Sequence, residues 1–175
     1  VRDAGDLSAA VFDRRGRMVA QAVTGTPGHI NSLAFAGQHL VREFAGRCEP
    51  GDVLITNDPW LSAGHFFDIT ILTPIFNGER LIAYIGSTIH HTDIGGYGIG
   101  AGARDVHEEG LWIPIVKLMK RGERNADVWK FILSNVRQPD HMAGDLHAQM
   151  ASGEVGAQRL RSLCDRHDLA DIEAL

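Results

Sequence analysis

Two β-rich runs joined by Asn77-Gly78 constrain this chain more than any other feature. Ile69–Phe76 and Leu81–Ile89 are dense in isoleucine, threonine and aromatic residues, which favour strands. Asn-Gly is the dipeptide preferred in a two-residue type I′ turn. The pattern predicts a long antiparallel hairpin, with strands near 69–76 and 81–89. With Asn77 and Gly78 as the loop, Phe76 faces Glu79, Asp68 faces Ser87, and His65 faces His90. Directly opposed residues have Cβ atoms about 5 Å apart, so this register puts two imidazoles within reach of one metal ion.

Asp68 would add a carboxylate. Three residues from His65, it points to the other face of a regular strand. One ion can take both only if the chain around Gly64–Phe67 leaves β geometry, which Gly64 permits. Two imidazoles, one carboxylate and open water positions suit zinc, manganese or iron(II). His91 and Asp93 are candidates for orienting a ligand imidazole or holding a bound water. Asp58, in Asn57-Asp58-Pro59 just upstream, is a further candidate that reads equally well as a turn residue. The competing reading makes His65, His90 and His91 loop residues bonded to the backbone, and spacing alone does not choose.

The rest of the chain supplies the frame. Leu7–Phe12, Asp13 to Arg17 and Met18–Ala22 read as a hairpin with a glycine turn, followed by a loop over Thr24–Gly28. Ile30, Leu33, Ala34, Gly37, Leu40, Val41 and Phe44 recur at helical spacing, and Glu49-Pro50-Gly51-Asp52 stops that helix before a buried strand at Val53–Thr56. Gly95 to Gly102 form a glycine-rich loop without a phosphate-binding pattern, so it reads as a loop needing positive φ. Leu111–Leu118 predicts a strand broken by Pro114. Val128, Trp129, Ile132, Leu133 and Val136 share a helical face that Pro139 is expected to end. Met142, Leu146, Met150, Ala157, Leu160 and Cys164 predict a longer helix, interrupted or closely packed at Gly153 and Gly156, and Asp168–Leu175 starts another. The expected class is α+β, with a mixed or largely antiparallel sheet and a helical C-terminal third.

Composition narrows the function. Charged residues are 22% of the 175 and the net charge is −5 with no basic block, which argues against nucleic acid and anionic membrane surfaces. The apolar runs are strand-length, far below the roughly 20 residues of a membrane helix. The start is charged from Arg2 onward, so no secretory leader is expected. Two cysteines outside any CxxC pattern fit a reducing, cytoplasmic setting, whereas nine histidines are many for this length.

Several segments together resemble the hydantoinase B/oxoprolinase family. They are Phe12-Asp13 through Val19-Ala20-Gln21-Ala22, Gly51-Asp52-Val53-Leu54-Ile55-Thr56-Asn57-Asp58-Pro59, Gly64-His65-Phe66-Phe67-Asp68 and His90-His91-Thr92-Asp93-Ile94-Gly95-Gly96. Glu108-Glu109-Gly110-Leu111 with Ile113-Pro114, Asn135-Val136-Arg137 and Gly144-Asp145-Leu146 follow in the same order. Phe67, Gly102-Ala103 and Ile115 depart from the common pattern and leave the subfamily open. The resemblance implies a divalent metal on His65, Asp68 and His90, the positions of the ligands in the acetone carboxylase branch. It also implies ATP bound at an A-type partner subunit with an actin-like fold, hence a hetero-oligomer inactive without that partner. The expected activity is ATP-coupled hydrolysis of a small cyclic amide, hydantoin- or oxoproline-like, with the partner phosphorylating the carbonyl oxygen. Ketone carboxylation is the first alternative, and a non-catalytic assembly domain with structural histidines is the second. Family members are several times longer, so residues 1–175 would be a single domain or an N-terminal portion of such a chain.

Overall fold

A computed structural model of the chain describes residues 5–23, 25–100 and 102–174. Thr24, Ala101 and Leu175, each part of an expected loop or helix, lie outside the described residues. Among the described residues are seven strands, β1 (Leu7–Phe12), β2 (Met18–Gln21), β3 (Val53–Thr56), β4 (Asp68–Asn77), β5 (Arg80–His90), β6 (Val116–Lys120) and β7 (Glu123–Arg124). They form one sheet in the order β2-β1-β5-β4-β3-β6-β7, and every pairing is antiparallel. The helices are α1 (Pro27–Glu43), a single turn α2 (Val106–Glu109), α3 (Ala126–Ser134) and α4 (Pro139–Arg166). This is the α+β class expected, with the predicted hairpin, β4 and β5, near the middle of the sheet.

Side-chain alternation along β4 and β5 divides the core. On one face Phe12, Leu54, Leu72 and Tyr84 pack against Leu33, Ala36, Leu40 and Val41 of α1. Thr26 caps α1, its hydroxyl accepting from the His29 amide at 3.4 Å, and Pro27 occupies the first turn, where its missing N–H costs nothing. Gly37 leaves no room for a Cβ against the Phe12 ring, which lets the helix lie close on the sheet. On the other face Ile69, Ile71, Ile75 and Ile85 meet α3 and α4. There Gly153 sits on Thr73 and Gly156 on Ile85, so the two glycines mark close packing in an unbroken helix.

Three expectations are corrected. Pro139 opens α4 instead of ending α3, which stops at Ser134; a fixed φ and a missing N–H suit the first helical turn as well as they stop a helix. β6 begins at Val116, because Leu111 to Ile113 are bonded to the Thr56 and Asn57 side chains. The hairpin register also differs. Asn77 pairs with Arg80, leaving Gly78 and Glu79 as the turn. A type I′ turn needs positive φ at both central residues, and here Gly78 (φ +60°) has it while Asn77 does not. A bulge at Ile82 then adds one more step, so Asp68 faces His90, not Ser87, and His65 lies outside the ladder.

Candidate metal centre

Asp68 is the first residue of β4, and its side chain, 1% exposed, points to the α1 side of the sheet. His90, at the end of β5 and directly opposite, shares that face, and its Nδ1 is 2.8 Å from Asp68 Oδ1. His65 arrives from the loop preceding β4, where Gly64 takes φ +88°, and its Nε2 is 3.2 Å from Asp68 Oδ2. The departure from regular β geometry that the sequence requires is therefore present. Two side chains hold this loop. The Glu109 carboxylate accepts from the Phe66 amide at 2.8 Å, and buried Asn57 donates to the Phe66 and Leu111 carbonyls while accepting from the Ile113 amide.

One ligand atom from each of His65, Asp68 and His90 lies within 4.8 Å of the others. Donors sharing a zinc-like ion at about 2.1 Å are separated by about 3–4 Å, so closure by about 1–2 Å at the widest separation accommodates a cation. The donor chemistry fits as well, with a buried anion facing two imidazoles. Phe67 stacks on His90 with ring centroids 5.5 Å apart, closing one side to water.

Sequence reasoning missed His29. From the first turn of α1, its Nε2 is 2.7 Å from Asp68 Oδ2 and 3.5 Å from Asp6 Oδ1. Asp6, just ahead of β1, also reaches to 4.0 Å from His90 Nδ1. Glu109 and Asn57 stood only in motifs, and their hold on the loop depends on contacts between segments distant in sequence.

The other candidates go elsewhere. His91, the next residue after His90, faces the opposite side of the sheet, buried, with Nε2 3.3 Å from Gln149 Oε1 of α4. Asp93 accepts from the amides of Gly95 and Gln138 at 2.9 and 2.8 Å, and from that of Arg137. It ties the glycine-rich loop to the α3–α4 connection, while the Arg137 guanidinium donates to the Gly95 and Gly96 carbonyls. Asp58 closes a local turn by accepting from the Trp60 amide at 2.9 Å. A cavity of about 300 Å³ lined by Pro59, Trp60, Gly64, Arg104 and Glu109 adjoins the His65 loop. A larger groove of about 580 Å³, between β1, β2 and α4, contains none of the candidate donors.

Charges follow from this packing. Burial opposes ionisation of Asp68, but hydrogen bonds from His65 and His90 and the fields of His65 and His29 outweigh it, holding the carboxyl well below the usual carboxylate range. The hydrogen bond to Asp68 raises the His65 pKa against its partial burial, with the fields of Asp68, Glu109 and Asp6 adding. Burial pushes His91 down. For metal-free protein the signs set a window. The Asp68 contribution is present above its ordinary value of 3.8 and lost as pH falls through its depressed folded value. The His65 contribution is present below 6.5 and lost as pH rises through its raised folded value. Melting of chelator-treated protein between pH 4 and 8.5 should show Tm falling on the alkaline side, and His65→Gln should flatten that limb. An unchanged limb in the variant would remove His65 as its source.

No helix among the described residues is long and apolar enough to cross a membrane. The whole chain, residues 1–175, matches the family described as hydantoinase B/oxoprolinase. The caprolactamase subunit beta of Pseudomonas jessenii is 34% identical over 98% of the chain and 30% of its own length. The crystal structure of that ATP-dependent caprolactamase superposes with a TM-score of 0.84 over 97% of the chain and 30% of the matched chain, at 35% identity. A 5-oxoprolinase of Saccharomyces cerevisiae is 34% identical over 98% of the chain and 14% of its own length. A nucleotide-free acetone carboxylase shares the fold, with a TM-score of 0.84 at 21% identity over 97% of the chain and 22% of the other. The chain thus spans less than a third of the length of these relatives. With its full length matched and its fold reproduced at that score, the chain belongs to the hydantoinase B/oxoprolinase family.

Proposed function

We propose that this chain supplies the metal-bearing B-type part of an ATP-dependent enzyme that opens small cyclic amides, in complex with an A-type subunit that binds ATP. The observation that carries the reading is the convergence of His65 and His90 on the buried Asp68 carboxylate. Relatives named caprolactamase subunit beta and 5-oxoprolinase support a cyclic amide as substrate, and the name "subunit beta" supports a hetero-oligomer. Partner and activity together make a cytoplasmic setting the natural one.

His65, Asp68 and His90 would hold zinc, manganese or iron. When bound, such an ion polarises a carbonyl and lowers the pKa of a coordinated water. Asp68 stays anionic across the physiological range because its neighbours donate to it, so the site keeps its charge for a cation. His65, whose pKa is raised by its hydrogen bond to Asp68, must shed its added proton before its ring can ligate a cation, making affinity rise with pH. The ring of the substrate would enter through the cavity beside Gly64, where Trp60 offers an apolar wall and Glu109 and Arg104 offer polar groups. His91, Asp93 and Asp58 would act through position: His91 by fixing β5 against α4, Asp93 by holding the glycine-rich loop, and Asp58 by shaping the turn before His65.

The test is elemental analysis of wild-type protein beside a His65→Ala/His90→Ala double variant, with circular dichroism confirming that both fold. Near-stoichiometric metal is expected in the wild type and none in the variant. Assembled with the ATP-binding subunit, the variant should lose ATP-dependent ring opening of hydantoin, 5-oxoproline or caprolactam. Normal turnover by the variant would overturn the proposal.

A further inference from the structure

We propose that His29 is a positioning residue of the metal centre, its Nε2–H holding Oδ2 of Asp68 so that the carboxylate presents a fixed edge to the cation. The inference rests on the metal reading above. His29 makes the shortest of the imidazole contacts to Asp68, at 2.7 Å, against 2.8 Å for His90 and 3.2 Å for His65. Its ring is outside the set whose ligand atoms converge within 4.8 Å, so it braces the carboxylate without joining the donors.

The fold holds this brace rigidly. His29 stands in the first turn of α1, its amide bonded to Thr26 and its carbonyl accepting from Ser32 at 3.1 Å. One turn further along, Leu33 packs on β5 at Gly86, where an added Cβ would lie 3.2 Å from Leu33 Cδ1 and 2.9 Å from the Phe12 ring. The height of α1 over the strand is thereby set four residues before His90. Among the described residues, His29 Nδ1 is buried without a partner. A side chain serving only to fill this space would be better apolar, because it would bury no unpaired nitrogen. The bond to Asp68 is what explains an imidazole there.

Partners that hydrogen-bond a metal ligand typically account for ten- to hundredfold in metal affinity. Cobalt(II) is a suitable probe, since visible absorption reports its coordination and titration gives its Kd. The full-length protein is compared with His29→Leu, which removes the donor, and His29→Gln, whose amide N–H can replace it; His29→Ala stands in if the leucine variant does not fold. Expected is a ten- to hundredfold weaker Kd with an altered spectrum for the apolar variant, and recovery to within about threefold for glutamine. Wild-type affinity and spectrum in the apolar variant would overturn the role of His29, as would a glutamine variant as weak as leucine. Wild-type protein that binds cobalt no better than His90→Ala would instead overturn the metal reading, and this inference with it.

Discussion

Asp68→Ala is expected to abolish divalent metal binding, with affinity falling more than the hundredfold limit usual for changes outside the ligand set. It should also destabilise the metal-free protein. Asp68 is the anion on which three imidazoles converge, and it is almost fully buried. At pH 5.5, removal of the acceptor shared by His65, His90 and the buried His29 should cost about 3 kcal/mol. For 175 residues that is a fall of about 6–12 °C in Tm. Asp68→Asn separates the two effects. The amide oxygen can still accept from one imidazole, so about half of the stability should return. The negative charge does not return, so metal affinity should stay lost. The checks are calorimetry of chelator-treated protein at pH 5.5 and metal titration at pH 7.5. An alanine variant that melts and binds like wild type would dismiss Asp68 as the centre of the cluster.

Asp93→Ala should be nearly as damaging to the fold while sparing the metal. Its carboxylate accepts from the amides of Gly95, Arg137 and Gln138 and from the Arg137 side chain, in a buried position. Alanine leaves those donors without an acceptor, at a cost of about 3 kcal/mol, or about 6–12 °C. The loop has few ways to relax, because Gly95 takes φ +79° directly against the Asn135 carbonyl. Metal bound per folded molecule should stay at the wild-type level. Loss of metal with an unchanged Tm would mean that Asp93 serves the centre and not the loop.

Much of the architecture was legible in the chain because it rests on local rules. β-Branched runs around a glycine turn place β4 and β5, and helical spacing places α1, α3 and α4. The convergence of His65, Asp68 and His90 was legible because a loop residue, a strand start and a strand end all fall at the open end of one hairpin. Their pairing was not, since the turn forms on Gly78-Glu79 and Ile82 bulges. His65 still reaches Asp68 because Gly64 turns the chain outside the ladder. His91 could have been set apart from the donors by strand alternation alone, which sends neighbours to opposite faces. His29 could not have been found this way. Its place beside Asp68 follows from how α1 docks on β1 and β5, a contact between segments far apart in sequence.

The bulge at Ile82 gives the hairpin tip an unexpected authority. Eight residues separate it from His90, about 26 Å along an extended strand, yet it decides which way His90 looks. A strand is a two-position ratchet: one residue added or lost reverses every side chain beyond it. Glu79 at the turn can therefore be exchanged for another polar residue, but the residue count of the turn is locked to that of the strand it feeds. A single deletion there that the bulge did not absorb, far from His90, would swap His90 with His91 and aim the wrong imidazole at Asp68.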